Sequence, residues 1–131
     1  MNYFSHEKLD VYQASLEWII LVEEIVKQLP RGRAYLVDQL QRAGTSVLLN
    51  IAEGAGEYAI HEKIRFYRMA RRSGTECAAI MDVITTLKLI ENDQNILRAR
   101  KLLIRIVSML TKMVQISHNS EAEDVIGRVH L

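Results

Sequence analysis

The chain of 131 residues carries a net charge of +1, is 49% hydrophobic and 25% charged, and has the length and composition of one globular domain. Its longest apolar stretch, residues 18–22, is far too short for a membrane span, and the single Cys77 excludes an internal disulfide. Because the first ten residues lack the basic and apolar regions of a signal peptide, we expect a cytoplasmic protein.

The charge is distributed unevenly along the chain. Residues 1–60 hold five Lys or Arg and eight Asp or Glu, residues 61–112 hold eleven and five, and residues 113–131 hold one and three. The segment charges are therefore −3, +6 and −2. Such asymmetry indicates either a basic face for a polyanion, or acidic and basic helices that neutralise each other within the fold.

The first predicted helix ends before Pro30, because the residue preceding a proline avoids the α conformation. Its apolar residues recur at spacings of three and four, interrupted by Glu23, and are Leu9, Tyr12, Leu16, Ile19 and Val26. A second apolar face on the same segment comprises Val11, Trp18, Leu21 and Ile25. A helix in a four-helix bundle needs one buried stripe, so the second stripe predicts a homo-oligomer.

The second predicted helix begins near Ala34 and the third near Ile60. The inward positions of the second are Leu36, Leu40, Ala43, Val47, Asn50 or Ile51, and Gly54. Those of the third are Ile64, Tyr67, Ala70, Gly74, Cys77, Met81 and Ile84. Small residues at the centre of both segments predict a close approach of the two helix axes.

A polar break at residues 91–95 precedes the fourth helix, which Asn92 or Asp93 can cap. Its apolar positions are Ile96, Leu103, Ile106, Leu110, Met113 and Val114. Beyond residue 118 the pattern is lost. We therefore predict an all-α protein, an antiparallel up-down-up-down four-helix bundle over residues 1–118, with a mobile C-terminal tail over residues 119–131.

The stretch NIAEGAGEY, residues 50–58, contains two glycines in a pattern that also occurs in dinucleotide-binding loops. Gly54, Gly56 and Ala59 fit G-x-G-x-x-[G/A], and Glu76 lies where a ribose-binding acid would be expected. That motif requires a preceding strand, whereas the segment before it has helical periodicity. We therefore interpret Gly54 or Gly56 as a left-handed cap that ends the second helix, and we predict no cofactor.

Asn50 falls on the inward-facing rhythm of the second helix, where an amide is costly to bury without hydrogen bonds. We expect a polar tie to the third helix, with Arg65, Arg72, Ser73 or Glu76 as candidate partners. The predicted structural polar network is Asn50, Glu53, Ser73 and Glu76. A catalytic role would require a nucleophile or base nearby, and none is evident in the sequence, so we predict no catalytic residue.

Helical bundles can hold two metal ions through Glu-x-x-His motifs on facing helices. No histidine of this chain has a glutamate three positions earlier, because those positions hold Tyr3, Tyr58, Gln115 and Gly127. We therefore predict no metal site. Cys77 lies among apolar residues with no histidine close in sequence, which predicts a buried, inert thiol.

The most basic stretch is KIRFYRMARR, residues 63–72. Arg65, Arg68 and Arg72 are spaced by three and four, so they share one face of a helix. Arginine forks suit phosphate, and a basic stripe is the expected footprint of nucleic-acid binding, although a basic run is also typical of a solvated face. The predicted nucleic-acid-binding residues are Lys63, Arg65, Arg68, Arg71, Arg72, Arg98, Lys101 and Arg105.

The stretches QLQRAGTSVLLNIAEGAGEY and KIRFYRMARRSGTECAAIMDVI resemble the core signature of the bacterial four-helix-bundle proteins encoded in 23S rRNA intervening sequences, and KLDVYQASLEW fits the start of that family. The resemblance covers about residues 6–117. It implies a small cytoplasmic bundle, often assembled as a pentameric ring, without known catalytic activity. A distant relative, the accessory variability determinant, partners a reverse transcriptase and its RNA in diversity-generating retroelements.

The signature positions carried over by this resemblance are Arg42, Ala43, Ser46, Asn50, Ala52, Glu53, Gly54, Arg65, Phe66, Ala70, Arg71, Ser73 and Glu76. The chain departs from the pattern in two places. Arg72 stands where the family usually has glycine, and Ala59 and Ile60 stand where a serine or threonine cap is expected. The start of the third helix is therefore expected to be frayed or capped differently.

Together these features predict a non-enzymatic helical protein that self-associates, as a pentamer by the resemblance, and presents a basic surface to RNA or to an RNA-bound protein. The alternative is a protein–protein adaptor, such as an accessory subunit of a reverse transcriptase, that uses its charge for steering.

Overall fold

The computed structural model describes the backbone of residues 4–130 and the side chains of residues 4–120. Over these residues it contains four helices and no strand, which confirms the predicted all-α class. The helices are α1 (Asp10–Lys27), α2 (Ala34–Gly56), α3 (Ile60–Thr86) and α4 (Gln94–His130). None of the helices, over the residues described, is long and apolar enough to cross a membrane.

Each helix packs against two others in a closed order. α1 packs against α2 and α4, and α3 packs against the same two helices, whereas over the described residues the backbones of α1 and α3, and those of α2 and α4, do not come close. Side chains from all four helices therefore meet in one central core. The largest fully buried side chains of this core are Trp18, Ile25, Leu40, Ile51, Met81, Ile84, Ile106 and Leu110.

The inward faces of α2, α3 and α4 follow the predicted periodicity. On α2 the buried position near residue 50 is Ile51, which is 0% exposed, while Asn50 is half-buried beside it. On α3 the predicted row from Ile64 to Ile84 is buried throughout. On α4 the predicted positions are buried except Met113, which is half-buried. Each of these helices has a single apolar stripe, so only one orientation of the helix buries that stripe in the core.

The two apolar faces of α1 are inverted relative to the sequence prediction. Val11, Trp18 and Ile25, predicted as the outer stripe, are the buried residues, together with Ala14 and Val22 on the same side. The stripe predicted to face the core is half-buried or exposed, and its Leu16 is 39% exposed. The prediction was wrong because α1 is apolar on more than one side, and its period alone does not choose between two stripes.

The packing of Trp18 explains which of the two apolar stripes of α1 is buried. Its indole Nε1 donates a hydrogen bond to the carbonyl oxygen of Gly44 at 3.3 Å, and its side chain is 0% exposed. A Cβ at Gly44 would lie 3.2 Å from Val22 Cγ2 and 3.4 Å from Trp18 Nε1. The absent side chain at Gly44 therefore makes the space in which α1 packs its indole against α2.

The predicted left-handed cap at the end of α2 is wrong. α2 continues through Gly54 to Gly56, and the only glycine with positive φ among the described residues is Gly32, in the turn between α1 and α2. Glu57 ends the helix in an extended conformation. Gly54 therefore lies within α2, where its backbone packs against Tyr67 of α3.

The other helix ends agree with the sequence. α3 begins at Ile60 after Ala59, which makes no side-chain cap, as expected from the missing serine or threonine. The only acidic residue in its first turn is Glu62, whose charge favours a helix N-terminus. At the start of α4, the backbone N–H of Gln94 donates to Asn92 Oδ1 at 3.1 Å, so of the two predicted caps, Asn92 and Asp93, the side chain that accepts this hydrogen bond is that of Asn92.

The helical backbone of α4 extends to His130, through most of the segment that was predicted as a tail. The side chains of residues 121–130, and the whole of Leu131, lie outside the described residues. The division of the chain at residue 118, and the mobility of residues 119–131, remain predictions.

Candidate nucleic-acid interface and polar seam

α2 and α3 pack closely at Gly54. A Cβ at this position would lie 2.6 Å from Tyr67 Cε1, 2.8 Å from Tyr67 Cδ1 and 3.2 Å from Phe66 Cβ. Tyr67 is only 3% exposed, and its burial raises the pKa of the phenol. The glycine in NIAEG therefore lets the Tyr67 ring pack against the backbone of α2, which is a packing role and not that of a nucleotide-binding loop.

Lys63 closes the C-terminal end of α2. Its Nζ donates to the carbonyl oxygen of Gly54 at 2.8 Å and to that of Ala55 at 3.4 Å, and it lies 5.8 Å from the centre of the Tyr67 ring. Burial lowers the pKa of Lys63, partly offset by Glu57. The ammonium therefore satisfies carbonyls that the helix leaves unpaired and complements its negative end. This predicted nucleic-acid contact already has protein partners.

A polar seam, formed by Ser46, Asn50 and Ser73, crosses the interface between α2 and α3 on the N-terminal side of Gly54 along α2. The hydroxyls of Ser46 and Ser73 are hydrogen-bonded at 2.9 Å. Asn50 Nδ2 donates to the carbonyl oxygen of Ser46 at 2.9 Å and to Ser46 Oγ at 3.0 Å. Asn50 is thus linked to α3 through Ser46 on its own helix, and not through the α3 side chains that were its candidate partners.

The two glutamates of the predicted network lie outside this chain of bonds. Glu53 is exposed and borders a depression near Phe4 and His6, and Glu76 is exposed at the edge of the seam. Neither carboxylate makes a hydrogen bond or ion pair among the described residues. A groove of about 380 Å³ beside the seam is lined by Ser46, Asn50, Met69, Arg72, Ser73 and Glu76.

Three arginines of the basic stretch are held by neighbouring side chains. Arg65 forms a 2.8 Å ion pair with Glu62 one turn earlier and lies over the Phe66 ring at 4.6 Å. The hydrogen bond and charge of this pair lower the pKa of Glu62 and raise the pKa of Arg65. This guanidinium is therefore partly neutralised by its own helix, and the pair is solvent-exposed, so its contribution to stability is small.

Arg68 and Arg71 reach across to α4 and meet side chains that are not acidic. Arg68 Nη2 lies 2.7 Å from His118 Nε2, and Arg71 Nη1 donates to Thr111 Oγ1 at 3.3 Å. Since neither partner is a carboxylate, both guanidinium groups keep their charge uncompensated. Arg72, on the α2 side, is exposed and makes no hydrogen bond or ion pair among the described residues.

Over the part that the structure describes, the outer side of α4 is basic, and most of its positive charges have no acidic partner. Residues 94–120 contain five Lys or Arg and no Asp or Glu. Arg98, Lys101 and Arg105 are exposed and make no hydrogen bond or ion pair among the described residues, whereas Arg100 pairs with Asp82 of α3 at 3.2 Å. We use the term basic surface for the exposed cations of α3 and α4 that have no acidic partner among the described residues, which are Arg68, Arg72, Arg98, Lys101, Arg105 and Lys112.

Cys77 lies in the core below this surface. It is 0% exposed, and burial, with a smaller effect from Glu76, raises the pKa of its thiol to about 12. Because the thiolate is the nucleophilic form, the thiol is unreactive near neutral pH. The burial expected from the sequence is confirmed.

Sequence reasoning did not identify two residues, Ser46 and His118, that connect candidate site residues of different helices. Ser46 links Asn50 to Ser73, and its only signal was its place in the family signature. His118, which meets Arg68, lies at the limit of the predicted bundle and carried no signal in the sequence. Both roles depend on which residues of different helices lie side by side.

These features define a four-helix, all-α protein with a polar seam between two helices and a cationic outer surface. A comparison with protein families finds a match over residues 7–112 to the family described as 23S rRNA-intervening sequence protein. The chain belongs to this family, and the resemblance seen in its sequence is confirmed. A search of the curated proteins returned no match.

Proposed function

We propose that this protein has a non-enzymatic binding function and contacts RNA through the basic surface. The observation that carries the proposal is the concentration of exposed, uncompensated cations on the adjacent helices α3 and α4. Arginine and lysine at such positions neutralise phosphates and release bound counterions, whatever the base sequence. The expected interaction is therefore electrostatic, with little base readout.

We further propose that the four helices alternate in direction, giving an antiparallel up-down-up-down bundle in a cytoplasmic protein. The paired positions support this topology. Ser46 meets Ser73 and Gly54 meets Tyr67, so later residues of α2 contact earlier residues of α3. α3 and α4 follow the same rule, because Arg71 bonds to Thr111 while the later Asp82 pairs with the earlier Arg100.

Self-association is the second part of the proposal, and the resemblance suggests a pentameric ring. One chain carries a net charge of only +1, which is too small to hold RNA tightly. A ring would repeat the basic surface in every subunit, and linked weak sites gain affinity through their effective concentration.

The test is an anisotropy titration of a structured RNA hairpin at two salt concentrations, with the parent chain and the variant Arg68→Glu/Arg72→Glu. Each lost phosphate contact reduces the slope of log affinity against log salt by about 1, so the double variant should lose about 2. The control Arg31→Glu/Arg42→Glu has the same change in charge on exposed residues outside the basic surface. Equal binding by parent and test variant would refute the basic surface as the site of contact, and no binding by the parent at low salt would refute RNA contact itself.

The second candidate is a protein–protein adaptor, such as an accessory subunit of a reverse transcriptase. Exposed apolar side chains among the α4 cations favour it, because Leu97 is 51% exposed and Ile104 is 58% exposed. An RNA backbone gains little from such residues, whereas a protein partner would bury them. Binding to a partner protein that hardly changes with salt, without RNA binding, would establish this alternative.

A further inference from the structure

The outward side of α1 carries an apolar pair surrounded by carboxylates. Ile20 is 64% exposed, and Leu16, one helical turn earlier, is 39% exposed. The remaining helix neighbours of Ile20, three or four residues away, are Glu17, Glu23 and Glu24, all of them exposed. We call these five residues the α1 ridge. Within α1 as a whole, four acidic residues outnumber a single basic one.

A second unpartnered surface lies between α3 and α4. It is an open groove of about 250 Å³, which we call the α3–α4 groove, with Gly74 and Ala78 on its α3 side and Leu103, Ile104 and Val107 on its α4 side. A Cβ at Gly74 would lie 3.1 Å from Val107 Cγ2, so the glycine deepens the groove. Its edge residue Ile104 is 58% exposed. An exposed apolar surface of this kind is typical of a contact site.

The charges around the two surfaces are opposite. Arg100 lines the α3–α4 groove but is paired with Asp82, whereas Lys101 and Arg105, which follow it on the exposed side of α4, have no acidic partner among the described residues. The described part of α4 contains no acidic residue that could oppose an incoming carboxylate. The α1 ridge thus combines apolar residues with negative charge, and the groove combines apolar residues with positive charge.

We propose that the α1 ridge of one copy docks into the α3–α4 groove of a second copy. The dimensions agree: two side chains one helical turn apart have Cβ atoms about 6 Å apart, and the groove follows α4 from Arg100 to Ser108, about 12 Å of helix. Leu16 and Ile20 enter the groove, while the glutamates meet the cations of α4. The inference rests on the self-association proposed above and names the two surfaces that produce it.

A contact between two different surfaces is heterologous, so an open chain of copies retains one free α1 ridge at one end and one free α3–α4 groove at the other until a ring closes. A ring closes only if each copy turns by a constant angle relative to the one before it. Arg68 and Arg72 do not line the groove and remain available to RNA.

The first experiment measures the mass of the full chain in solution by light scattering after size-exclusion chromatography. Ile20→Ser and Ile104→Ser should each shift the parent assembly towards the 15.1 kDa of one chain. Leu49→Ser is the matched control, since Leu49 is 54% exposed on α2, away from both surfaces, and its mass should equal that of the parent. Circular dichroism of each variant establishes that it is folded.

The second experiment reverses charge. Glu17→Lys/Glu24→Lys and Lys101→Glu/Arg105→Glu should each reduce the assembled fraction at low salt, and combining all four changes in one chain should restore it. A parent that assembles while both apolar variants keep its mass, or assembly lost in Leu49→Ser alone, would overturn the proposed surfaces and leave self-association standing. A parent that is monomeric at micromolar concentration would overturn both, while RNA binding by the parent is measured independently.

Discussion

The close approach at Gly54 predicts a large loss of stability on adding a single methyl group. In Gly54→Ala the new Cβ would stand 2.6 Å from Tyr67 Cε1, whereas carbon atoms pack at about 3.5–4.0 Å. The two helices or the ring must therefore separate by about 1 Å. Tyr67 is 3% exposed and has no open space to enter, and Phe66 Cβ, 3.2 Å away, blocks the other side.

The magnitude follows from two opposing contributions. Replacing glycine by alanine inside a helix stabilises it by up to about 1 kcal/mol. Overpacking a filled core typically costs about 1–3 kcal/mol. At Gly54 the overpacking should exceed the helix-propensity gain, and we expect a net loss of about 1–2 kcal/mol in the free energy of unfolding.

Gly56→Ala is the matched control, because Gly56 is in the same helix and a Cβ there meets nothing within 4 Å. This variant should be as stable as the parent or slightly more stable. The assay is urea unfolding followed by circular dichroism at one fixed protein concentration, since assembly makes apparent stability concentration-dependent. If Gly54→Ala proved as stable as Gly56→Ala, the packing explanation of NIAEG would be refuted.

Three further predictions concern single side chains. Asn50→Leu should lower the free energy of unfolding by about 1 kcal/mol in urea titrations, because Asn50 is half-buried and Ser46 keeps its other hydrogen bond; a stabilised variant would contradict this. Cys77 should resist a thiol reagent at neutral pH in the native protein and react once urea unfolds it, since its pKa is raised to about 12. Because Arg65 lowers the pKa of Glu62 below 4.5, the parent should be more stable than Glu62→Gln at neutral pH, and the difference should vanish as the pH falls through that lowered pKa; a pH-independent difference would exclude the ion pair as its cause.

The sequence was sufficient where one helix face alone was apolar. The inward rows of α2, α3 and α4 followed directly from residues such as Leu40, Ile64 and Leu110, since most residues on the opposite sides of these helices are polar. α1 offered two apolar stripes, and the choice between them depends on the fit of Trp18 against Gly44 of another helix. That fit joins residues 26 positions apart, so no local period contains it.

The sequence predicted which basic residues belong to the candidate site more fully than it predicted their contacts. The spacing placed Arg68 and Arg72 on an exposed side of α3, as observed, but it could not show that Arg65 is paired with Glu62. It also could not show that the ammonium of Lys63 bonds to the end of α2. A basic residue looks the same in a sequence whether its charge faces solvent, a carboxylate or the carbonyls of a helix end.

The position of Trp18 gives this protein an optical probe of one interface. It is the only tryptophan in the chain and is fully buried where α1 packs on α2. Its emission should therefore shift to the red when α1 separates from α2. The indole points away from the exposed side of α1, so association through Leu16 and Ile20 should leave the emission wavelength unchanged. Tryptophan fluorescence would then follow folding of the single chain, while light scattering follows assembly, in the same sample.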